Sequence, residues 1–134
     1  MKIKSKKSLE PDISDVITKI KDIGGDSIKF IVLYGSAAKG KSTKLSDIDI
    51  AVFHSGDKRD RFQFRLKILG RIGNKFDIQT YQDLPLYIQN EILSSGDVLY
   101  FSDYTEIFNT FMKTIREFED FKPRLELYYS NMGV

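Results

Sequence analysis

The sequence predicts an α/β layered domain of the α+β class, and three observations support this prediction. The chain has 134 residues, of which 41% are hydrophobic and 30% charged, so it can bury a core of its own. Short runs of β-branched and aromatic residues alternate with longer segments that show helical periodicity. Neither an internal repeat nor a shift in composition divides the chain. We therefore expect a single domain over residues 1–134, with a core at about 12–102 and a C-terminal helical segment at about 103–131.

The first part of the chain predicts one helix followed by two strands. A helix is expected over Pro11–Ile23, because apolar residues recur every three or four positions and a Gly-Gly pair follows. Strands are expected over Ile28–Tyr34 and Asp47–Phe53, because both runs are rich in β-branched or aromatic residues. The residues expected on the buried side of the helix are Ile13, Val16, Ile17 and Ile20.

The middle of the chain predicts a second helix and a third strand. The helix is expected over Asp57–Ile72 and is closed by Gly73-Asn74, and the strand over Phe76–Tyr81. The apolar residues at helical spacing, expected to face the core, are Phe62, Leu66, Leu69 and Ile72.

The last part predicts a short helix, a short strand and a longer helix. These are expected over Pro85–Leu93, Val98–Phe101 and Asp103–Phe118. Pro123 is expected to break the last helix, so that Arg124–Asn131 forms a separate helical piece. The expected apolar side of the long helix comprises Tyr104, Ile107, Phe108, Phe111, Met112, Ile115 and Phe118.

Composition excludes several classes of protein. The absence of cysteine excludes disulfides and cysteine-zinc sites and makes a cytoplasmic location the default expectation. No apolar stretch approaches the length of a membrane span, and the basic N-terminus lacks the apolar segment of a secretory signal. A net charge of +2 is too small to indicate nucleic-acid binding by itself. We expect neither a membrane nor a nucleic acid as a direct partner.

Two carboxylates in an apolar strand are the first indication of chemistry. Asp47 and Asp49 are two residues apart, so both side chains point to one face of the strand, opposite Ile48 and Ile50. Carboxylates this close repel each other, and a divalent cation such as Mg²⁺ removes that cost. Taken alone, the pattern also fits a turn cap at Asp47 and an ion pair between Asp49 and a lysine.

The residues before and after this pair extend the pattern. Gly35 and Ser36 directly follow a strand, where a glycine lets backbone amides approach a phosphate. Lys39 and Lys41 are candidate polyphosphate contacts, although surface solubility explains a single lysine equally well. Asp77 lies early in the next strand, where it is either a third carboxylate of a two-metal site or an ordinary strand-edge residue.

These residues carry a resemblance to a known family. LYGSAAKGKSTKLSDIDIAVF resembles the signature of the polymerase-β-type nucleotidyltransferases, and more narrowly that of the minimal nucleotidyltransferase (MNT) proteins. FDIQTYQDLPLYIQNEILSSGDVLYFSD is similar to the downstream block of the same family, so the resemblance covers roughly Ile28–Asp103. It implies a polymerase-β-like nucleotidyltransferase fold, with a small mixed sheet flanked by helices.

The resemblance also implies an activity. Many MNT proteins are antitoxins that use ATP and Mg²⁺ to transfer AMP to a tyrosine of a HEPN-domain ribonuclease toxin, with which a hetero-complex is expected. Carried over to this chain, Gly35 and Ser36 would hold the triphosphate. A lysine at position 39 departs from the arginine often found there. The positions implied as metal ligands, with two Mg²⁺ ions expected, are Asp47, Asp49 and Asp77, and Asp77 would also lie on the side of the attacking hydroxyl.

Two alternatives to this enzyme remain open at the level of the sequence. An antitoxin with little or no catalytic activity could neutralise the toxin by binding alone, or the acceptor could be a small molecule such as an aminoglycoside. The clustered carboxylates favour an enzyme, because a binding protein has no use for charges that are costly to bury. His54, the single histidine, is predicted to end its strand without a catalytic role.

Overall fold

The computed structural model describes residues 2–3, 11–36, 38 and 47–131. Its centre is a five-stranded mixed sheet. The strands are β1 (Lys2–Ile3), β2 (Ile28–Tyr34), β3 (Ile48–His54), β4 (Phe76–Thr80) and β5 (Asp97–Phe101). Their spatial order is β1-β5-β2-β3-β4. β2 is antiparallel to both of its neighbours, whereas β3 and β4 are parallel, as are β1 and β5.

Four helices cover the two faces of this sheet, which confirms the predicted mixed sheet flanked by helices. On the first face, Val16 and Phe64 from two helices pack with Ile31 and Ile50 of the sheet. On the other face, Phe111 packs in a separate cluster with residues of β2 and β5. The helices are α1 (Pro11–Gly24) and α2 (Lys58–Leu69) on the first face, and α3 (Leu86–Ser95) and α4 (Tyr104–Asn131) on the second.

The apolar face predicted for α2 is wrong. The residues that face the sheet are Phe64 and Ile68, whereas Phe62, Leu66 and Leu69 are exposed. Both sets have helical spacing, because α2 carries apolar residues on two opposite sides. Periodicity therefore could not decide which side is buried. The half-buried Ile72, beyond the end of α2, does pack against the first core cluster.

An ion-pair network holds α2 in this rotation. The guanidinium of Arg61 donates to both carboxylate oxygens of Asp83, at 3.1 and 3.0 Å, and to the Gly56 carbonyl at 3.0 Å. The hydroxyl of Thr80 donates to the same Asp83 carboxylate. Asp57 caps the first turn of α2 by accepting from the Asp60 amide at 2.9 Å. The start of α2 is thereby joined to the turn that follows β4.

The break predicted at Pro123 is also wrong, because α4 continues from Tyr104 to Asn131. Every side chain described after Phe118 in α4 is exposed, so the carbonyl of Glu119, which proline deprives of its hydrogen bond, can be solvated. The predicted apolar side is right only in part. Ile107 and Phe111 are buried and Met112 and Phe118 half-buried, whereas the exposed members are Tyr104, Phe108 and Ile115.

The described part of the chain contains no helix with the length and apolar character needed to cross a membrane.

Candidate active site

Three adjacent strands bring the candidate side chains together at one end of the sheet. Tyr34, the last residue of β2, lies opposite Asp49 in the antiparallel register. Asp49 is in turn the register partner of Asp77 on the parallel strand β4. Register partners on neighbouring strands point to the same face and are separated by ~5 Å. The structure therefore places Asp49 between Tyr34 and Asp77, and Asp47 lies exposed directly before β3.

At Gly35 the backbone passes close to the carboxylate of Asp49. Its φ angle is +73°, and a Cβ atom at this position would lie 2.5 Å from Oδ2 of Asp49. A larger residue would therefore meet both backbone strain and a clash with the carboxylate. Ser36 follows in the same turn and is half-buried. The turn thus places the Gly-Ser pair beside Asp49.

The electrostatic environment of Asp49 is unfavourable for a charged group. Burial raises the pKa of Asp49, and the carboxylates of Asp77, Asp47 and Glu91 raise it further. Burial removes water from the Asp49 carboxylate, and the neighbouring carboxylates add like charge, so both effects oppose its ionisation. A divalent cation would neutralise this environment. The donor set therefore fits Mg²⁺, which binds one or two carboxylates together with substrate phosphates.

Three residues of this site were missed by sequence reasoning. The Tyr34 hydroxyl stays neutral, because burial and the charges of Asp49, Asp77 and Glu91 raise its pKa. The Gln79 amide donates from Nε2 to Oδ1 of Asp77 at 2.9 Å and so orients that carboxylate. The i, i+2 spacing from Asp77 could have indicated Gln79. No local pattern indicates Glu91, because it lies on α3 and not on the strands that carry the other site residues.

Metal-ligand geometry is incomplete in the protein alone. Among the described residues, no group of three His, Cys, Asp or Glu side chains is arranged to hold a metal ion. The phosphates of a nucleotide would have to supply further ligands beside Asp49 and Asp77. The predicted phosphate contacts Lys39 and Lys41 lie outside the described residues.

A cavity of about 200 Å³ lies between α2 and the start of β4. Asp47 and Asp77 line it together with Ile68 and Ile78 of the first core cluster. A larger cavity, of about 360 Å³, lies at the other end of β3, where its walls include Phe53 and Lys113. Asp49 lines neither cavity, so neither one encloses the paired carboxylates.

His54 ends β3, far from the carboxylates. The Gly56 amide donates to Nδ1 of His54 at 3.0 Å, and the imidazole packs against Phe64 with ring centroids 5.1 Å apart. Burial lowers the pKa of His54. Its surroundings are those of a buried, neutral imidazole.

Comparison with known proteins places these residues in a family. The sequence pattern of the family described as "Polymerase beta, Nucleotidyltransferase" matches residues 17–105. A Methanocaldococcus jannaschii protein named "Putative protein adenylyltransferase MJ1547" is 42% identical over 95 residues. The alignment covers 71% of this chain and 73% of that relative.

Solved structures share the fold at lower identity. A chain of a toxin–antitoxin crystal structure with AMP-PNP is similar with a TM-score of 0.71 and 20% identity, covering 93% of this chain and 100% of that one. A chain of the complex of the tri-AMPylated Shewanella oneidensis HEPN toxin with MNT antitoxin has a TM-score of 0.66 and 17% identity. That match covers 90% of this chain and 95% of the other.

Proposed function

Because the chain belongs to the polymerase beta nucleotidyltransferase family, we propose that it is a protein adenylyltransferase that acts as an antitoxin. The reaction would transfer AMP from ATP to a tyrosine of a HEPN-domain toxin, with which the chain would form a complex. The observation that carries this proposal is the contact of the Gly35 backbone with Asp49, which is paired in register with Asp77. It would join the turn proposed to bind phosphate to the carboxylates that nucleotidyl transfer requires.

Each residue has a distinct role in the proposed reaction. The turn at Gly35 and Ser36 would bind the triphosphate through its backbone amides and hydroxyl, assisted by Lys39 and Lys41. Asp47, Asp49 and Asp77 would hold Mg²⁺. The bound cations would neutralise charge on the attacking and leaving oxygens.

The acceptor side of the reaction is assigned to Asp77. The tyrosine oxygen would form a bond to the α-phosphorus of ATP while the bond to pyrophosphate breaks, and Asp77 would accept the phenolic proton. The hydrogen bond from Gln79 would hold the Asp77 carboxylate in place for this role. The overall products would be an O-AMP-tyrosine and pyrophosphate.

Two relatives support the choice of acceptor. The Methanocaldococcus relative carries the name of a protein adenylyltransferase. The Shewanella complex pairs an MNT antitoxin with a HEPN toxin that bears AMP groups. We extend both properties to this chain as part of the proposal, since the fold and the Asp-x-Asp site suit them.

An intact-mass assay tests the proposal. The purified protein, ATP and Mg²⁺ would be incubated with the product of the adjacent gene, beside an Asp47→Asn/Asp49→Asn control. We expect one or more AMP masses on the partner, and none with the control variant. A stable complex without added mass would instead indicate an antitoxin that acts by binding, and absence of both would favour a small-molecule acceptor.

A further inference from the structure

The cavity at the far end of β3 takes no part in the proposed reaction. Its volume of about 360 Å³ falls within the range of small-molecule sites, roughly 300–1000 Å³. Phe53, which lines it, follows Asp49 by four residues on β3, so ~13 Å separates their Cα atoms. The walls come from the end of β3, the turn after β4, and the helices α3 and α4. We call this space the β3–α4 cavity.

One wall of the β3–α4 cavity is aromatic. Phe53 and Tyr81 line it, and Phe53 stacks on Phe30 with ring centroids 5.1 Å apart. Phe111 packs against Phe30 at 5.5 Å and against Tyr81 at 6.0 Å. The hydroxyls of Tyr81 and Thr114 share a hydrogen bond of 2.6 Å. These contacts hold both rings in place, so a flat ligand would meet a preorganised surface.

The wall contributed by α4 is polar. Asn109, Lys113 and Glu117 line the cavity at i, i+4 spacing, which aligns them along one side of the helix, and Thr110 lies beside them. Within the described part of the chain, the side chains of Asn109 and Thr110 form no hydrogen bond. The charged atoms of Lys113 and Glu117 are 3.8 Å apart, which is beyond hydrogen-bond distance. These side chains therefore retain donors and acceptors that a ligand can use.

The two walls together restrict the chemistry of a ligand. A hydrocarbon ring would displace water from Asn109 and Thr110 without replacing its hydrogen bonds. A phosphate group needs net positive charge, whereas the charge of Lys113 is offset by Glu117. A neutral planar heterocycle can stack on the aromatic wall and exchange hydrogen bonds with the polar one. Bases stack on aromatic side chains in this way, and asparagine pairs with the edge of adenine.

We propose that the β3–α4 cavity is a binding site for a planar nitrogen heterocycle of the nucleobase class. The heterocycle would stack on Phe53 and form hydrogen bonds with Asn109 and Thr110, while Lys113 and Glu117 would contact its outer edge. A free nucleoside and the base of a bound nucleotide offer the same chemistry. The inference does not presume AMP transfer, because the paired carboxylates do not line this cavity.

Nucleoside binding to the purified chain tests the site. We would titrate adenosine, cytidine and ribose and measure affinity by calorimetry and by NMR of the backbone amides. The first variant is Asn109→Leu/Thr110→Val, and its matched control is Asn90→Leu/Thr105→Val, which changes the same residue types on α3 and α4 outside the cavity. The second variant, Phe53→Leu, keeps an apolar side chain and removes the flat ring. Urea unfolding would establish that each variant is folded during the titration.

We expect both nucleosides to bind and ribose not to bind. Asn109→Leu/Thr110→Val and Phe53→Leu should each weaken adenosine binding by ~10-fold, because the first loses hydrogen bonds and the second loses stacking. The control double variant should match the wild type. Asp49→Asn should also bind adenosine as the wild type does, since Asp49 lies outside the cavity.

AMP-PNP with Mg²⁺ distinguishes the two sources of the heterocycle. If saturating AMP-PNP displaces adenosine and its own affinity falls in Phe53→Leu, the cavity holds the base of the nucleotide. If both bind at once, the cavity holds a separate nucleoside.

Other outcomes would overturn the inference. Nucleosides that bind no better than ribose would show that the cavity does not select a heterocycle. Equal affinity in Asn109→Leu/Thr110→Val, Phe53→Leu and the control would place any binding elsewhere. Loss of AMP transfer to the product of the adjacent gene, with adenosine still bound at the cavity, would remove the proposed function and leave this site in place.

Discussion

Asp49 and Asp83 lie towards opposite ends of the parallel pair β3 and β4. The charged groups that dominate their surroundings have opposite signs. Asp49 is surrounded by other carboxylates, and together with burial they raise its pKa. Asp83 accepts hydrogen bonds from Arg61 and Thr80, and these bonds lower its pKa. The same chemical group is thus destabilised as an anion at one end and stabilised as an anion at the other.

This difference separates the end of the sheet that carries the proposed active site, the functional end, from a structural end. Around Asp83 the protein supplies its own cation, and the ion pair joins α2 to the turn after β4. Around Asp49 the described residues place like charges together, which costs stability unless a cation binds. Such a cost is commonly found at active sites, where activity and stability conflict.

The largest expected effect follows from neutralising the functional end. Asp49→Asn should reduce nucleotidyl transfer by at least ~1000-fold, equivalent to ~4 kcal/mol of transition-state stabilisation, because a proposed metal ligand is lost. The same change should raise the free energy of unfolding without ligands by a small amount, because it removes a charge repelled by its neighbours and solvent screens part of that repulsion. Transfer rates and urea unfolding at pH 7 would check both results. A variant that is inactive and also less stable would contradict the proposed contrast.

A second effect depends on the close approach at Gly35. Gly35→Ala should lower transfer by ~100-fold and stability by ~2 kcal/mol, since its Cβ would strike the Asp49 carboxylate at a positive φ. Gly25→Ala is the matched control, because Gly25 also has a positive φ, of +55°, but a Cβ atom added there would meet no atom of the described, non-adjacent residues within 4 Å. The control should lose ~1 kcal/mol of stability and no activity. Equal losses of activity in both variants would show that contact with Asp49 is irrelevant.

The structural end should respond in stability and not in chemistry. Arg61→Gln should lower the free energy of unfolding by ~2 kcal/mol, because the bidentate pair with Asp83 is lost. Lys75→Gln, which removes the exposed pair with Asp12, should cost less than ~0.5 kcal/mol. Denaturant midpoints would measure both changes, and transfer per folded molecule should be unchanged. A loss of catalysis in folded Arg61→Gln would mean that the two ends are coupled.

The dependence of stability on acid pH provides a further measurement on Arg61→Gln. Because the pKa of Asp83 is lowered in the folded state, its contribution to stability is present above the ordinary pKa of 3.8 and is lost as pH falls through the folded value. Arg61→Gln should therefore reduce the loss of stability in acid. An unchanged acid dependence would show that the ion pair does not set it.

The smallest effect concerns His54. Burial lowers its pKa below 6.5, so its contribution to stability is present above that pH and is lost as pH falls through the folded value. Between pH 7 and 5.5 the wild type should lose less than ~1 kcal/mol relative to His54→Gln. Thermal melts across this range would measure the difference. A relative gain in stability on acidification would show that the imidazole is charged in the folded protein.

Local patterns predicted most elements to within a few residues. The bounds of β2, β3, β5, α1 and α3 follow from β-branched runs, helical spacing and glycine stops, all of which act over a few neighbours in the chain. The buried side of α2 could not be predicted in this way, since apolar residues lie on both of its sides. The continuity of α4 through Pro123 depends on exposure beyond Phe118, which no local pattern reports.

The sequence by itself determined the Gly-Ser turn, the Asp-x-Asp pair and the strand that carries Asp77, because residue type and spacing are local properties. Only the tertiary structure decided that β4 pairs in parallel with β3, which makes Asp77 the register partner of Asp49. It also brought Glu91 from α3 to these carboxylates and turned Phe62, Leu66 and Leu69 of α2 outward. These arrangements join residues far apart in the chain, and the free energy that selects them comes from packing and charge across the whole fold.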